Sequence, residues 1–207
     1  MPSNVPRAES TRQRLIAVAR ELFASHGYQD TSVQEVLDRS GVSRGALYHH
    51  FQSKEALFEA VLEEVERELA DAIIQASADA TTGGAALRAG SAAFFESAKD
   101  PAIRQIVLVD APNAVGWSTW RAIDTRYGFG LLKAAFRSEA EEGRLPLDLA
   151  DAYAHILLAA LLELGLYIAN ATDSTRAQQQ AQQAIDTLLA RLLSEDHGDD
   201  PPPDAGI

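Results

Sequence analysis

The 207-residue chain is 46% hydrophobic and 23% charged, the composition of a folded globular protein rather than of a disordered one. It contains no cysteine, which excludes disulfides and thiolate metal sites. Its formal net charge of −12 excludes a protein that is basic throughout and binds nucleic acid over its whole surface.

The charge is unevenly distributed along the chain. Residues 1–55 contain seven Lys or Arg and six Asp or Glu, whereas the remainder contains eleven and twenty-four. This asymmetry predicts that a polyanion-binding part is confined to the N-terminal quarter. The N-terminus lacks the apolar segment of a signal peptide. The longest apolar run, residues 156–169, is interrupted by Glu163 and is expected to be too short to cross a bilayer. We therefore expect a cytoplasmic protein that does not enter a membrane.

The N-terminal quarter predicts a flexible arm followed by a small helical domain. Residues 1–9 include two prolines and show no apolar periodicity, which is typical of a loose arm. From residue 10, apolar residues recur at helical spacing, and Gly27 is suited to end this first helix in a left-handed conformation. We place the domain at residues 10–55.

A helix-turn-helix motif is expected over about residues 33–52. Ser32 and Glu35 form a capping box at the start of the second helix, and Ser43 can cap a third helix. Gly41 lies in the turn between the two helices, where one residue usually takes a positive φ. Two short helices joined by such a turn are typical of this motif.

The rest of the chain is also helical by its apolar pattern, and residues 56–194 form a second, larger domain. Helices are expected at 54–78, after the glycines at 83–84 as far as 98, at 103–110, at 117–142 after a loop at 112–116, at 149–170 and at 175–193. The acidic, proline-rich tail at 195–207 is expected to be disordered. The predicted fold class is all-α.

The third helix predicts a surface that reads DNA. At about 100° per residue, its packed half holds Ala46, Leu47, His50 and Phe51, and its outer half holds Arg44, Gly45, Tyr48, His49 and Gln52. Arginine can fork onto guanine, and glycine lets a helix approach base edges closely. Tyrosine and histidine can donate hydrogen bonds to phosphates.

The adjacent histidines allow two other interpretations. His49 and His50 point about 100° apart on a helix and have no cysteine or inward carboxylate nearby, which disfavours a metal site. His50 lies at the edge of the packed half, so it is either a phosphate contact or a histidine at the border of the core.

Four further polar residues lie at helix N-termini, where free N–H groups and the helix dipole favour a phosphate. Ser43 and Lys54 lie at the starts of the third and fourth helices, and Thr31 and Ser32 lie at the start of the second. We expect all four to contact the DNA backbone.

The stretch TSVQEVLDRSGVSRGALYHHFQSKEALFEAV closely resembles the DNA-binding domain of the tetracycline-repressor (TetR) family of bacterial transcriptional regulators. The similarity covers roughly residues 10–60 and includes the Gly-Val-Ser turn, Leu-Tyr-x-His-Phe and Ser-Lys-Glu-x-Leu in register. It implies a three-helix DNA-binding domain, a connecting fourth helix and a helical domain that binds an inducer and dimerises. On matching positions it implies DNA contacts by Ser43, Arg44, Gly45, Tyr48, His49, His50 and Lys54.

The apolar segment at 157–166 predicts either a dimer interface or a central core helix, because both faces of its helix must be covered. Together with the helix at 175–193 it would form a four-helix bundle between two subunits, the dimer mode that the resemblance also implies. The expected interface residues are Leu158, Leu161, Leu162, Gly165, Ile185, Leu188 and Leu192.

A ligand pocket is expected among the aromatic residues of the larger domain, because binding sites are mostly apolar with few polar groups. The candidates are Phe94, Phe95, Trp117, Trp120, Tyr127, His155 and Glu163. Aromatic residues at helical spacing are also typical of a core, so the pattern leaves packing roles open for them.

The sequence contains no glycine-rich phosphate loop or HExxH motif, and we expect no catalytic residue, metal site or cofactor. The leading hypothesis is a homodimeric repressor released from a palindromic double-stranded DNA operator by a small-molecule inducer. The alternatives are an architectural DNA-binding protein and a helical interaction protein, neither of which requires an inducer.

Overall fold

Helices account for almost all of the chain that the structure describes. A computed structural model describes the backbone of residues 5–194 and the side chains of residues 9–194. The α-helices are α1 (Val5–Asp30), α2 (Val33–Ser40), α3 (Arg44–His50), α4 (Lys54–Ala76), α5 (Gly83–Ser97), α6 (Ala111–Ala114), α7 (Gly116–Asp124), α8 (Gly130–Glu141), α9 (Ala150–Asn170) and α10 (Ser174–Leu192). The predicted all-α fold class is confirmed.

Side-chain caps define the beginnings of the short helices. The Ser32 hydroxyl oxygen accepts the Glu35 N–H at 3.1 Å, and the Ser43 hydroxyl oxygen accepts the Ala46 N–H at 3.3 Å. Gly41 takes φ 65° between α2 and α3, a left-handed conformation that favours glycine. The caps and the turn expected for the helix-turn-helix motif are therefore confirmed.

Helix ends depart from the predictions in two places. The prediction of a flexible arm was wrong from Val5 onwards, because α1 already begins there. Residues 1–4 of the arm and the tail at 195–207 lie outside the described residues. The prediction of a loop at 112–116 was also wrong. Pro112 fits the first turn of α6, where no N–H is required. The helical backbone is interrupted only at Gly116, whose φ is 77°.

Two π-helical segments interrupt the C-terminal domain (α5–α10). Ile103–Asp110 was expected to be helical and is a π-helix, and Thr125–Phe129 divides the predicted 117–142 helix into α7 and α8. Apolar periodicity could not distinguish these segments, because one extra residue per turn leaves a similar apolar stripe. π-helices often occur at functional sites, and each segment here contributes one residue, Val107 or Gly128, to the wall of a cavity described below.

α1–α3, the N-terminal domain, shares a continuous core with the rest of the protein through α4. The rings of Phe23 and Tyr28 on α1 each lie 5.0 Å from that of Phe58 on α4 in edge-on contacts. Such aromatic pairs add roughly 0.5–1.5 kcal/mol beyond the apolar area they bury. The N-terminal domain is therefore joined to α4 by a packed contact.

The helical segment Leu147–Asn170 is long and apolar enough to cross a membrane by length and composition. The expectation that this apolar stretch is too short was wrong, because the helix extends beyond residues 156–169 at both ends. A core helix passes the same test. α9, which forms most of this segment, packs against α5, α8 and α10.

Candidate DNA-binding surface and ligand cavity

α3 presents a polar face to solvent. Its exposed residues are Arg44, Gly45, Tyr48 and His49. Leu47 and Phe51 are buried, so the expected division of the helix into an outer and a packed half is confirmed. His50 is half-buried with its ring 6.4 Å from that of Phe51, which places it at the border of the core. Its phosphate contact stays a prediction.

Gly45 leaves open space on the outer side of α3. A Cβ atom added there would meet no other atom of the described chain within 4 Å. Glycine inside a helix lowers helix stability by about 1 kcal/mol relative to alanine. No contact within the described chain explains a glycine at this position. The close approach of a DNA groove would provide a reason for it.

Arg44 is held at the surface by a residue that the sequence did not single out. Its Nη2 donates to the Gln34 side-chain oxygen at 2.6 Å, and the Gln34 amide donates to Asp38 at 2.8 Å. Because glutamine is neutral, the guanidinium keeps its charge for a DNA contact. Gln34 is a positioning residue, and only the packing of α2 against α3 brings it to Arg44.

The expected side-chain contact of Thr31 with DNA is wrong. Thr31 is 1% exposed, and its hydroxyl donates to the Gly27 carbonyl at 2.8 Å. Gly27 takes φ 80°, which bends the end of α1 so that this hydroxyl is directed into the fold. Ser32 and Ser43 are exposed at their helix N-termini, and their phosphate contacts stay predictions.

The Lys54 ammonium is directed at α1, which argues against the predicted phosphate contact by this side chain. Its Nζ donates to the carbonyls of Tyr28 at 2.7 Å, Thr31 at 3.0 Å and Gln29 at 3.5 Å, and lies 4.2 Å from the centre of the Tyr28 ring. A cation at these carbonyls satisfies groups left unpaired at the end of a helix. Lys54 therefore joins the end of α1 to the start of α4.

Lys54→Ala is expected to lower the free energy of unfolding by about 1–3 kcal/mol, because it removes hydrogen bonds from a charged donor. Urea unfolding measures this change. The salt dependence of DNA binding should stay unchanged, since no phosphate contact is lost. Unchanged stability together with a salt slope reduced by about one would instead establish Lys54 as a phosphate contact.

A second polar contact links the same end of α1 to the C-terminal domain. The Tyr28 N–H donates to Asp110 Oδ2 at 2.7 Å. Asp110 ends the π-helical segment Ile103–Asp110, and Val107 of that segment lines the cavity. Tyr28 thus lies between Asp110, which accepts its N–H, and Lys54, which binds its carbonyl.

A cavity of about 490 Å³ lies within the C-terminal domain against α4. This volume is within the usual range for small-molecule sites. Its walls are mainly apolar and include Leu69, Phe94, Val107, Trp120 and Leu158.

Two of the seven expected pocket residues, Phe94 and Trp120, line this cavity. The other five do not. Phe95 is fully buried in the core, Trp117 is 64% exposed, and Tyr127 is half-buried outside the cavity. His155 is exposed and packs on Phe129 with ring centres 4.4 Å apart, and Glu163 is exposed on α9. Aromatic character alone did not distinguish a cavity wall from other packing.

The cavity also contains two carboxyl groups that the sequence analysis missed. Glu66 on α4 is 4% exposed and Asp124 at the end of α7 is 6% exposed. Burial, together with a smaller effect of the nearby Asp124 charge, raises the pKa of Glu66 to about 8. Burial also raises the pKa of Asp124, but the Arg121 guanidinium at 2.9 Å opposes that rise.

Most of the expected dimer residues face the interior of their own subunit. Leu158, Leu161 and Leu162 line the cavity, Gly165 packs against Phe94, and Ile185 is 2% exposed. Their burial within the subunit argues against these five assignments, which stay untested. α9 is apolar nearly all round, so its sequence does not show which face is covered. Leu192 is half-buried against the core, whereas Leu188 is 45% exposed and remains available.

An exposed polar helix in a helix-turn-helix motif, joined to a helical domain with an internal cavity, defines a class of DNA-binding regulators. Family models match both parts of the chain. "Bacterial regulatory proteins, tetR family" matches residues 15–61, and "Tetracyclin repressor-like, C-terminal domain" matches residues 85–192. The chain belongs to the TetR family of helix-turn-helix transcriptional regulators.

The relatives that the chain matches include transcriptional regulators. The chain is similar to the Transposon Tn10 TetC protein of Escherichia coli, with 27% identity over 78% of this chain and 82% of TetC. The transcriptional activator FasR of Mycolicibacterium smegmatis is 40% identical over 45% of this chain and 42% of FasR. The transcriptional repressor AcnR of Corynebacterium glutamicum is 39% identical over 31% and 34%. The matched regions thus span less than half of FasR and of AcnR.

Solved structures share the fold over nearly the whole chain. A TetR-family transcriptional regulator from Pectobacterium atrosepticum has a TM-score of 0.74 and 29% identity, over 92% of this chain and 97% of that one. GusR of Salmonella enterica has a TM-score of 0.69 and 25% identity, over 89% and 95%.

Proposed function

We propose that the protein is a ligand-responsive repressor that binds a palindromic operator as a homodimer and is released by a small molecule in the cavity. The observation that carries this proposal is the cavity itself, which is walled partly by α4 and partly by the segment that reaches Tyr28 through Asp110. A ligand that shifts either wall would act directly on the end of α1.

α4 provides the second connection between the cavity and the N-terminal domain. Lys54 at its start holds the end of α1, and Glu66 and Leu69 further along the same helix line the cavity. A helix transmits a displacement along its length more readily than a loop does. We therefore expect the ligand to change the separation of the two N-terminal domains while each keeps its fold.

Asp110→Ala is expected to weaken this coupling, because it removes the acceptor of the Tyr28 N–H. Compounds that release operator DNA from the wild type should still bind the variant. Their effect on DNA affinity should fall by about fivefold, roughly 1 kcal/mol of a coupling that is typically 1–3 kcal/mol. Fluorescence anisotropy of labelled operator, with and without compound, measures it. An undiminished effect would exclude Asp110 from the connection.

A compound screen on the protein–operator complex tests the proposed function itself. Active compounds should release operator from the wild type but not from Leu158→Trp, whose larger side chain fills the cavity. Leu158→Trp should still bind operator, since residue 158 is remote in sequence from α3. Release that persists in this variant would place the effector site elsewhere.

The dimer is proposed to form through the outer faces of α9 and α10. Only 33% of the most apolar 18-residue window of Leu147–Asn170 is buried within the subunit. Ile156 is 57%, Tyr167 is 47% and Leu188 is 45% exposed, and the Tyr167 hydroxyl donates to Gln180 across the two helices at 2.9 Å. An apolar surface formed by two adjacent helices is suited to pair with its own copy.

A two-fold dimer presents two copies of α3, so its operator should be a near-palindrome. Major-groove faces recur about 34–36 Å apart on one side of the duplex, and the half-sites should follow that spacing or a longer one. An architectural protein would need cations spread over its surface to cover phosphates widely. The excess of acidic residues beyond residue 55 disfavours that alternative.

A reporter experiment determines whether the protein represses or activates transcription. AcnR is a repressor and FasR an activator, so both directions occur among relatives. We propose repression in the cytoplasm by occupancy of the operator, without catalysis. Transcription from the operator-bearing promoter should therefore rise when the gene is deleted and fall again on complementation.

A further inference from the structure

The ionisable side chains of the described cavity wall are all acidic. Twenty-seven of the described residues line the cavity, of which Glu66 and Asp124 are acidic and none is Lys, Arg or His. No residue of the described wall therefore provides a counter-ion for an anionic ligand. The wall gives no specific contact to the charge of a carboxylate or phosphate.

The two carboxyl groups are not equivalent. Asp124 is already paired with Arg121 at 2.9 Å. Glu66 is more than nine-tenths buried, lines the cavity, and forms no hydrogen bond or ion pair among the described residues. A buried carboxylate without a partner is strongly disfavoured, so Glu66 is held largely in its neutral form at pH 7 unless a cation pairs with it.

The rest of the wall suits an apolar body. Aliphatic side chains line the cavity together with the ring of Phe94 and the indole of Trp120, which give it an apolar surface for a hydrocarbon. Hydroxyl groups are also present, but Ser91 and Ser77 already donate to backbone carbonyls of their own helices. The hydroxyl groups of Thr81, Thr82 and Ser138 also line the cavity but are not buried. Glu66 is therefore the buried polar side chain of the described wall that is left without a partner.

We propose that the cavity takes an apolar organic cation, whose protonated or quaternary nitrogen pairs with the Glu66 carboxylate while its hydrocarbon part lies against Phe94 and Trp120. This inference rests on the proposed function only in treating the cavity as the effector site. A ligand cation provides the partner that Glu66 lacks, and Glu66 releases its proton when the pair forms.

Three ligands with the same ten-carbon chain and different head charges test the inference: decylammonium, 1-decanol and decanoate. Binding is measured at pH 7, below the micelle concentration, by the fluorescence of the two tryptophans and by calorimetry. Decylammonium should bind at least about tenfold more tightly than 1-decanol, and decanoate most weakly, because a tenfold preference corresponds to one modest ion pair. Equal or tighter binding of either competitor would overturn the proposal.

Glu66→Gln separates the head-group contact from the hydrocarbon contact. It should remove the preference for decylammonium and change 1-decanol binding by less than about threefold, because the amide keeps the shape of the side chain. Asp79→Asn is the matched control, since Asp79 is exposed between the lining residues Ala78 and Ala80 but does not line the cavity. Equal losses for all three ligands in Glu66→Gln would contradict a specific ion pair.

Proton release gives a test on the wild-type protein. With the pKa of Glu66 at about 8, pairing with decylammonium at pH 7 should release close to one proton, and at pH 9.5 almost none. The other ionisable group near Glu66 is Asp124. Asp124 in turn is paired with Arg121 and interacts with His155. Calorimetry in two buffers of different ionisation enthalpy counts the protons. No release in the wild type, or the same release in Glu66→Gln, would contradict the inference.

The outcomes also distinguish this inference from the proposed function. If 1-decanol or decanoate releases operator and decylammonium does not bind, the cation site fails and ligand-responsive regulation stands. If decylammonium binds through Glu66 and operator affinity is unchanged, the cation site stands and the cavity is not the effector site.

Discussion

Arg44→Ala is expected to weaken binding to the selected operator by about 1–3 kcal/mol at each half-site, the usual value of a bidentate arginine–guanine contact. Because a two-fold dimer carries the substitution twice, the loss for the whole operator should be roughly 2–6 kcal/mol. Preference at the contacted base pair should relax at the same time. Anisotropy titrations with the operator and its single-base variants measure both effects.

The matched control is Arg14→Ala, which removes the same charge from an exposed position on α1. It should alter affinity, if at all, evenly across base variants. Gln34→Ala should reproduce part of the Arg44→Ala effect, because Gln34 positions the guanidinium. Losses in Arg44→Ala that are equal for every base variant would leave Arg44 as a phosphate contact alone.

Ile156→Glu is expected to convert the dimer into a folded monomer. Ile156 is 57% exposed in the subunit, so the substitution should leave the fold intact. At a two-fold interface it would bury two unpaired carboxylates, which costs about 3–5 kcal/mol for each broken or unpaired charge. Operator affinity should fall by more than a hundredfold as the second half-site is lost. Sedimentation velocity and circular dichroism measure assembly and fold separately.

The contrast with Leu161→Glu sharpens this prediction. Leu161 is 5% exposed and lines the cavity, so a carboxylate there should destabilise the subunit itself. A wild-type protein that sediments as a monomer at micromolar concentration without DNA would contradict the proposed interface. So would an Ile156→Glu protein that remains dimeric.

Local rules predicted the helix-turn-helix motif well. Ser32, Gly41 and Ser43 act through their own neighbours within four residues, so the sequence contains all the information they need. The expectations for Thr31 and Lys54 disagree with the observed contacts for the opposite reason. The left-handed bend at Gly27 and the packing of α4 on α1 direct these side chains, and neither follows from their local sequence.

The cavity was harder to predict, because its acidic group lies in a charged stretch of α4. Glu66 follows Glu63 and Glu64 and precedes Glu68, a pattern typical of a solvent-exposed face. Its spacing of four from Leu62 and three from Leu69 nevertheless places it on the buried stripe, and that signal was available. α9 carried no comparable signal, because an apolar residue on either face is compatible with core or interface.

The most direct test of the central claim is selection of bound sequences from random DNA by the wild-type protein, followed by footprinting of the selected site. A ligand-responsive dimer that reads DNA through α3 should select a discrete near-palindrome with two half-sites, and Arg44→Ala should lose the preference at symmetric positions in both. Diffuse protection without an enriched sequence, or a single asymmetric half-site bound by one subunit, would contradict that claim.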